Sequence, residues 1–411
     1  MKRLWLFFIL FPLWGLGGFW GCADNAGRRF VRISGQYLLQ PNGDTLLIKG
    51  TNLGNWLNPE GYMFGFKKAN SARFINEMLC QAVGADFTNN FWQEFKDNYI
   101  TQEDILFLKK VGCNTIRLPF HYKLFTDEDY MGLTAAQDGF ARIDAVVAWC
   151  RAAGLYLILD MHDAPGGQTG DNIDDSYGYP WLFESEASQQ LYCDIWQKIA
   201  AHYKNEPVIL GYELFNEPIA PYFGEKVEAF NGQLEEVYKM GVAAIRKVDN
   251  NHIILLGGAQ WNSNFRPFTD WTFDNKIMYT CHRYGGEPTA EAIAHFIHFR
   301  DSTNLPMYMG EIGHNTNEWM AAFVQTMADN NIGWTFWPYK KMGGSSFVGI
   351  TPPANWDSIV AFSEASRATY QEIREARPSQ ETARQALLDF LEACRFKNNT
   401  VHTDYVNALF R

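Results

Sequence analysis

The chain has 411 residues, 47% of them hydrophobic and 20% charged, which excludes a disordered or collagen-like polymer and allows a large core. Asp and Glu (46) outnumber Lys and Arg (35), a formal charge of −11 that argues against a nucleic-acid surface or a polybasic membrane contact. Aromatic residues reach 16%, with 14 Trp, a content suited either to stacking on flat neutral ligands such as sugars or to an aromatic core.

Lys2 and Arg3 precede an apolar run from Leu4 to Trp20 that ends at Gly21-Cys22. Two positive charges before a run slightly short of a membrane span read as an export signal over residues 1–21. The Cys after a small residue resembles a bacterial lipoprotein signal, with Cys22 lipidated and the protein at the cell surface or in the periplasm. Phe19, where such signals usually carry Leu, keeps free secretion as the alternative. No later segment is apolar enough to span a bilayer. The other six cysteines, Cys80, Cys113, Cys150, Cys193, Cys281 and Cys394, show neither metal-ligand spacing nor a disulfide pattern, and Cys113 and Cys281 lie by apolar runs that suit buried thiols.

A tether over 22–29 leads to Phe30–Ser34 and Tyr37–Gln40, and Asn42-Gly43 marks a hairpin turn before Leu46. This predicts a β-hairpin closing the bottom of a larger unit. Short apolar β-rich runs then alternate with helix-patterned segments: Leu46–Asn52, Thr115–Phe120, Tyr156–His162, Ile209–Asn216, Ile253–Gly258, Ile277–Tyr284, Met307–Ile312 and Gly333–Trp337. Eight such runs predict an α/β fold, a single (β/α)8 barrel over 30–376; a doubly wound sheet is the competitor, without a G-x-G-x-x-G after its first strand. Asp138–Ala153 carries Phe140, Ile143, Val146, Val147 and Cys150 on one stripe and stops at Gly154, and Ala187–Tyr203 and Val227–Lys247 have the same periodicity. Residues 377–411, with Leu387, Leu388, Phe390 and Leu391 in helical spacing, predict a helical extension packed on the barrel.

In such a barrel the strand C-termini converge on one face, so their polar residues act together. Strand two ends with Arg117, strand three with Asp160-Met-His162-Asp163, strand four with Asn216-Glu217-Pro218. Strand six ends with His282-Arg-Tyr284, strand seven with Glu311 and strand eight with Trp337. Two strand-end carboxyls, Glu217 and Glu311, suit glycoside hydrolysis, in which one group protonates the leaving oxygen and the other meets an oxocarbenium-like carbon.

The ordered set Arg117, His162, Asn216, Glu217, His282, Tyr284, Glu311 and Trp337 resembles glycoside hydrolase family 5 over about Leu46 to Tyr339. Asn52-Leu-Gly-Asn-Trp56-Leu and His162-Asp-Ala-Pro-Gly-Gly-Gln168 resemble its exo-acting glucanase branch more softly. The resemblance implies a retaining β-glycosidase, with Glu311 as nucleophile, Glu217 as acid/base, and carboxyls roughly 5 Å apart. It further implies that Arg117 and Tyr284 keep Glu311 ionised, that Asn216 holds the sugar 2-hydroxyl, that His162 and His282 orient substrate and neighbours, and that Trp337 floors the reacting ring. The negative charge of Glu311 is expected to raise the pKa of Glu217.

Trp56 and Asp163, in the loops after strands one and three, are expected to touch sugar, ahead of Trp181 and Trp261. Asn58, Glu60 and Gln168 lie in the same loops. Glu213, one layer below Glu217 by strand alternation, is expected to pair with Arg117 or another buried donor. Asp171, Asp174 and Asp175 lack regular ligand spacing and read as a solvated acidic loop rather than a calcium site. The expected partner is a carbohydrate, which the resemblance implies is a β-linked glucan or its oligosaccharides, with no cofactor, no metal, no nucleic acid, membrane contact only through the lipid anchor, and a monomeric state. The rival reading is a glycan-binding protein on a catalytically idle barrel; an inverting hydrolase is a third.

Overall fold

The computed structural model describes residues 29–133, 135 and 138–410. The export signal and Cys22 lie outside the described residues. Strands β1 (Arg32–Ser34) and β2 (Tyr37–Leu39) form an antiparallel hairpin, and a turn at Asn42-Gly43 returns the chain so that Leu46 N–H bonds Leu38 O at 2.8 Å. Val31, Leu38, Leu46 and Ile48 then pack on Ile158, Leu210, Ile253, Leu255, Met278 and Tyr308, strand residues at the barrel bottom.

Eight parallel strands follow: β3 (Lys49–Asn52), β4 (Thr115–His121), β5 (Tyr156–Asp163), β6 (Ile209–Glu213), β7 (Ile253–Gly257), β8 (Ile277–His282), β9 (Met307–Gly313) and β10 (Gly333–Trp337). They pair in sequence order, and β10 pairs with β3 (Trp334 with Lys49, Phe336 with Thr51), so the sheet closes into a barrel. Strands buried on both faces are apolar along most of their length, which is why they stand out as near-continuous runs in the sequence. The helix Asp138–Ala153 ends at Gly154, whose φ of +67° is the left-handed cap that favours glycine. Glu186–Tyr203 and Lys226–Arg246 form the helices expected there within one residue. The β7–β8 connection departs from the alternation: only the irregular turn Ala259–Asn262 stands where a crossover helix would.

Between β3 and β4 the chain inserts helices Ala72–Val83 and Ala85–Asn98, against which Trp356–Glu364 and the C-terminal Gln380–Ala393 pack. Phe64, Phe66, Phe91, Phe95, Trp356 and Phe390 form one aromatic cluster there, so part of the aromatic excess is core. Leu387, Phe390 and Leu391 are buried, whereas Leu388 is exposed. The last helix, Thr403–Phe410, lies on Asn317–Asp329 and sets Phe410 against Trp334. The six cysteines outside the signal are all free thiols, and burial raises the pKa of Cys113 and Cys281. Among the described residues no helix is long and apolar enough to cross a membrane.

Candidate active site

Arg117, inward on β4, organises the strand ends. Its Nε and Nη2 donate to Glu213 Oε2 and Oε1 at 3.0 and 2.7 Å, Nη2 also reaches Asn216 Oδ1 at 2.8 Å, and Nη1 donates to Asn52 Oδ1 at 2.9 Å and Glu311 Oε1 at 2.8 Å. Asp160 Oδ2 stands 3.0 Å from Nη2. Tyr308 donates to Glu213 Oε2 at 2.6 Å, so Glu213 is satisfied within the barrel. Glu311 receives a second bond on Oε2, from the Tyr284 hydroxyl. Two donors thus address the Glu311 carboxylate, one on each oxygen.

Glu217 follows the end of β6 in a left-handed conformation, φ +45°, which is uncommon for a residue with a side chain. Its carboxyl oxygen lies 2.8 Å from His282 Nδ1, and the same nitrogen is 3.5 Å from Glu311 Oε2. Oxygens of the two glutamates and a nitrogen of His282 all fall within 4.8 Å of one another. Burial pushes His282 down to about 4, so the ring is neutral at pH 7. With Asn262 Nδ2 addressing Nε2 at 3.0 Å, the proton sits on Nδ1 and is donated to Glu217. The Glu217 pKa is raised to about 7, and the cause is burial, opposed by His162 and Arg117, with Glu213 adding a smaller push upward. The direction matches the expectation, but its leading source is desolvation rather than the charge of Glu311.

His162, also lowered to about 4 by burial, donates from Nδ1 to Asp160 Oδ2 at 2.7 Å and accepts from Asn216 Nδ2 at 3.1 Å. Its ring stacks on Trp337 with centroids 5.1 Å apart. Trp337 donates to the Tyr62 hydroxyl at 2.8 Å, and its other neighbour is Gly54, where an added Cβ would lie 2.9 Å from the indole. The loop after β5 braces this group. Gln168 donates to the carbonyls of His162 and Asn216 at 2.8 and 2.7 Å, and Thr169 Oγ1 donates to Glu217 O at 2.7 Å.

Three expectations need correction. Trp56 is 1% exposed, its indole N–H donating to Lys96 O at 2.9 Å, because the inserted helices cover that side of the loop. Asp163 is wholly buried, with neither carboxyl oxygen hydrogen-bonded among the described residues, so it presents no exposed surface to a sugar. The acidic loop is not solvated: Asp174 accepts backbone N–H bonds from Thr169, Gly170, Asp171 and Ser176, Asp175 faces His121 at 3.4 Å, and both are buried. Trp181 is exposed, its ring beside that of Tyr179. Trp261 lines a recess of about 430 Å³ together with Glu217, His282, Arg283 and Tyr284.

The sequence named Glu60 only by its loop and gave no sign of Tyr62, Asn262 or His314 at the site. Glu60 is 4% exposed, and burial followed by the charges of Glu311 and Glu217 raises its pKa well above the ordinary value, so a third carboxyl stands near the pair. An acid in an otherwise apolar loop after β3 was the available signal. His314 packs by Tyr62 and Tyr284, on the rim next to Glu311.

The family model for cellulase, glycosyl hydrolase family 5, matches residues 79–343. The chain belongs to glycoside hydrolase family 5. As a member of that family it is a glycoside hydrolase. Among similar curated proteins, a beta-xylosidase of Phanerodontia chrysosporium is 27% identical over 78% of this chain and 73% of its own length. Endoglucanase C of Acetivibrio thermocellus is 26% identical over 61% and 87%. Solved structures share the fold: an endogalactoceramidase superposes with a TM-score of 0.59 at 18% identity over 87% of this family 5 chain and 84% of its own. The rutinosidase of Aspergillus niger does so at 0.58 and 17% over 72% and 90%.

Proposed function

We propose that this family 5 enzyme is a retaining β-glycosidase acting on a β-linked glucan or its oligosaccharides. The observation that carries the proposal is the approach of Glu217 and Glu311 oxygens to within 4.8 Å across His282, the short separation that suits double displacement and leaves no room for a water between carboxylate and sugar. In the first step Glu217 gives its proton to the glycosidic oxygen while Glu311 Oε attacks the anomeric carbon; the C–O bond to the leaving group breaks and a glycosyl ester forms. In the second step the Glu217 carboxylate takes a proton from a water that attacks the same carbon, and the ester bond to Glu311 breaks. Asn216, fixed through its Oδ1 by Arg117 and bonded through Nδ2 to His162, keeps a second Nδ2 hydrogen for the sugar 2-hydroxyl. The sugar class is supported by relatives named for action on glucans, among them a probable glucan endo-1,6-beta-glucosidase B of Aspergillus flavus at 26% identity.

The test is turnover of an aryl β-glucoside and of a glucan panel. Activity is expected to vanish in Glu311→Ala and to return with azide as the α-glycosyl azide, formed by attack through the space the carboxylate vacates, while product NMR on the unaltered enzyme should show the starting β anomer. Binding without turnover on every substrate would favour an idle glycan-binding barrel, and an inverted product anomer from the unaltered enzyme would exclude the ester intermediate.

A further inference from the structure

Outside the site, the inserted helix Ala85–Asn98 and the first turns of Asp138–Ala153 enclose a cavity of about 280 Å³ on the outer wall of the barrel. Trp56 and Trp149 stand in its wall, and Trp56 ties it to the loop after β3. Lys96 also lines it, 1% exposed, and among the described residues its Nζ meets no hydrogen-bond acceptor. The other charged groups around the cavity are already engaged. Arg142 is ion-paired with Asp97, and Asp138 Oδ2 accepts the Ala135 N–H at 3.2 Å. A buried ammonium without an acceptor is costly, and the protein holds this one reluctantly, its pKa lowered to about 8 by burial and Arg142 against the pull of Asp138 and Asp97.

A ligand that removes the cost must bring one acceptor-bearing negative charge and an apolar body, since the uncharged part of the wall is Trp56, Trp149, Ile100, Ala141 and Ala145. The volume equals that of roughly nine liquid waters, enough for a single ring. We propose that this cavity is a binding site for a small monocarboxylate carrying one ring, its carboxylate paired with Lys96 Nζ and its ring against Trp56 or Trp149. Aromatic acids and uronic acids share this chemistry.

The experiment uses the full chain with benzoate and glucuronate as probes, and glucose and chloride as controls. Either acid is expected to raise the melting temperature saturably by about 2–4 °C and to change indole emission, and Lys96→Met to abolish both effects while melting no lower than the unaltered protein. A response to benzoate alone assigns the aromatic source, and to glucuronate alone the sugar source. No saturable response to either acid, or an equal response in Lys96→Met, overturns the proposal. Should that variant fail to fold, acylation of Lys96 in the unaltered protein, read by mass spectrometry, decides instead: protection by the acid supports the site and unchanged labelling overturns it.

Discussion

Arg117 and Glu213 meet in a two-pronged ion pair in the middle of the barrel, Nε to Oε2 at 3.0 Å and Nη2 to Oε1 at 2.7 Å. The pair fixes the plane of the guanidinium, and only in that plane does Nη1 point at Glu311 while Nη2 reaches Asn216. Glu213→Gln removes one prong and turns an amide N–H₂ toward the cation. It is expected to lower stability by roughly 3 kcal/mol, the scale for breaking a buried pair, and to lower kcat tenfold or more with little change in KM. Urea denaturation and steady-state kinetics on an aryl glycoside check both; an unchanged unfolding midpoint would show that the pair does not anchor Arg117.

Glu217, raised to about 7, sets the alkaline limb of activity. Above that pH the acid is spent as carboxylate, and kcat/KM is expected to fall tenfold per pH unit. Because burial leads the shift, the value should survive removal of the neighbouring charge. In Glu311→Gln, a carbon-13 titration of the Glu217 carboxyl is expected to stay near 7; a drop toward the free-glutamate value of about 4.3 would make Glu311 the cause after all.

The barrel was legible because its strands are buried on both faces, so Thr115–Phe120 and Ile209–Asn216 read as β-rich runs, the latter strand ending at Glu213, and because helix Asp138–Ala153 carries its apolar residues on one stripe up to a glycine. The strand-end polar residues were legible for the same reason: each interrupts an apolar run. Trp56 and Asp163 were misread because strand and loop patterns fix where a residue lies along the chain, not what covers it. The covering of Trp56 comes from Lys96, forty residues further on, in helices whose docking no local periodicity encodes. The source of the Glu217 shift was hidden likewise, since desolvation depends on everything packed around the carboxyl.

Asp163 offers a stability test with a definite sign. Its pKa stands well above the ordinary value through burial, then the charges of Asp175 and Asp174. The folded state therefore keeps a proton that the unfolded chain releases near pH 3.9, so the contribution of this group to stability is present at low pH and is lost as pH rises. Asp163→Asn keeps the shape without the titration. The variant should melt close to the unaltered protein at pH 4 and above it at pH 8; equal melting curves at both values would mean that Asp163 finds a partner for its charge.

Trp261 lies between Gln260 and Asn262 in a run of three left-handed residues, with φ of 48°, 60° and 58°. None is glycine, and each such residue costs about 1–2 kcal/mol, a strain the fold holds while it presents the indole beside Glu217. Comparing Trp261→Ala with Trp261→Gly separates the strain from the contact, because both lose the same ring. At an ordinary position glycine is the less stable of the two by roughly 0.5–1 kcal/mol; here the order is expected to reverse, read as a higher melting temperature for the glycine variant. Both should lose about tenfold in kcat/KM on an oligosaccharide whose leaving group stacks on the indole, and far less on a β-glycosyl fluoride that needs no such contact. If the oligosaccharide and the fluoride fall together, Trp261 supports the loop rather than the leaving sugar.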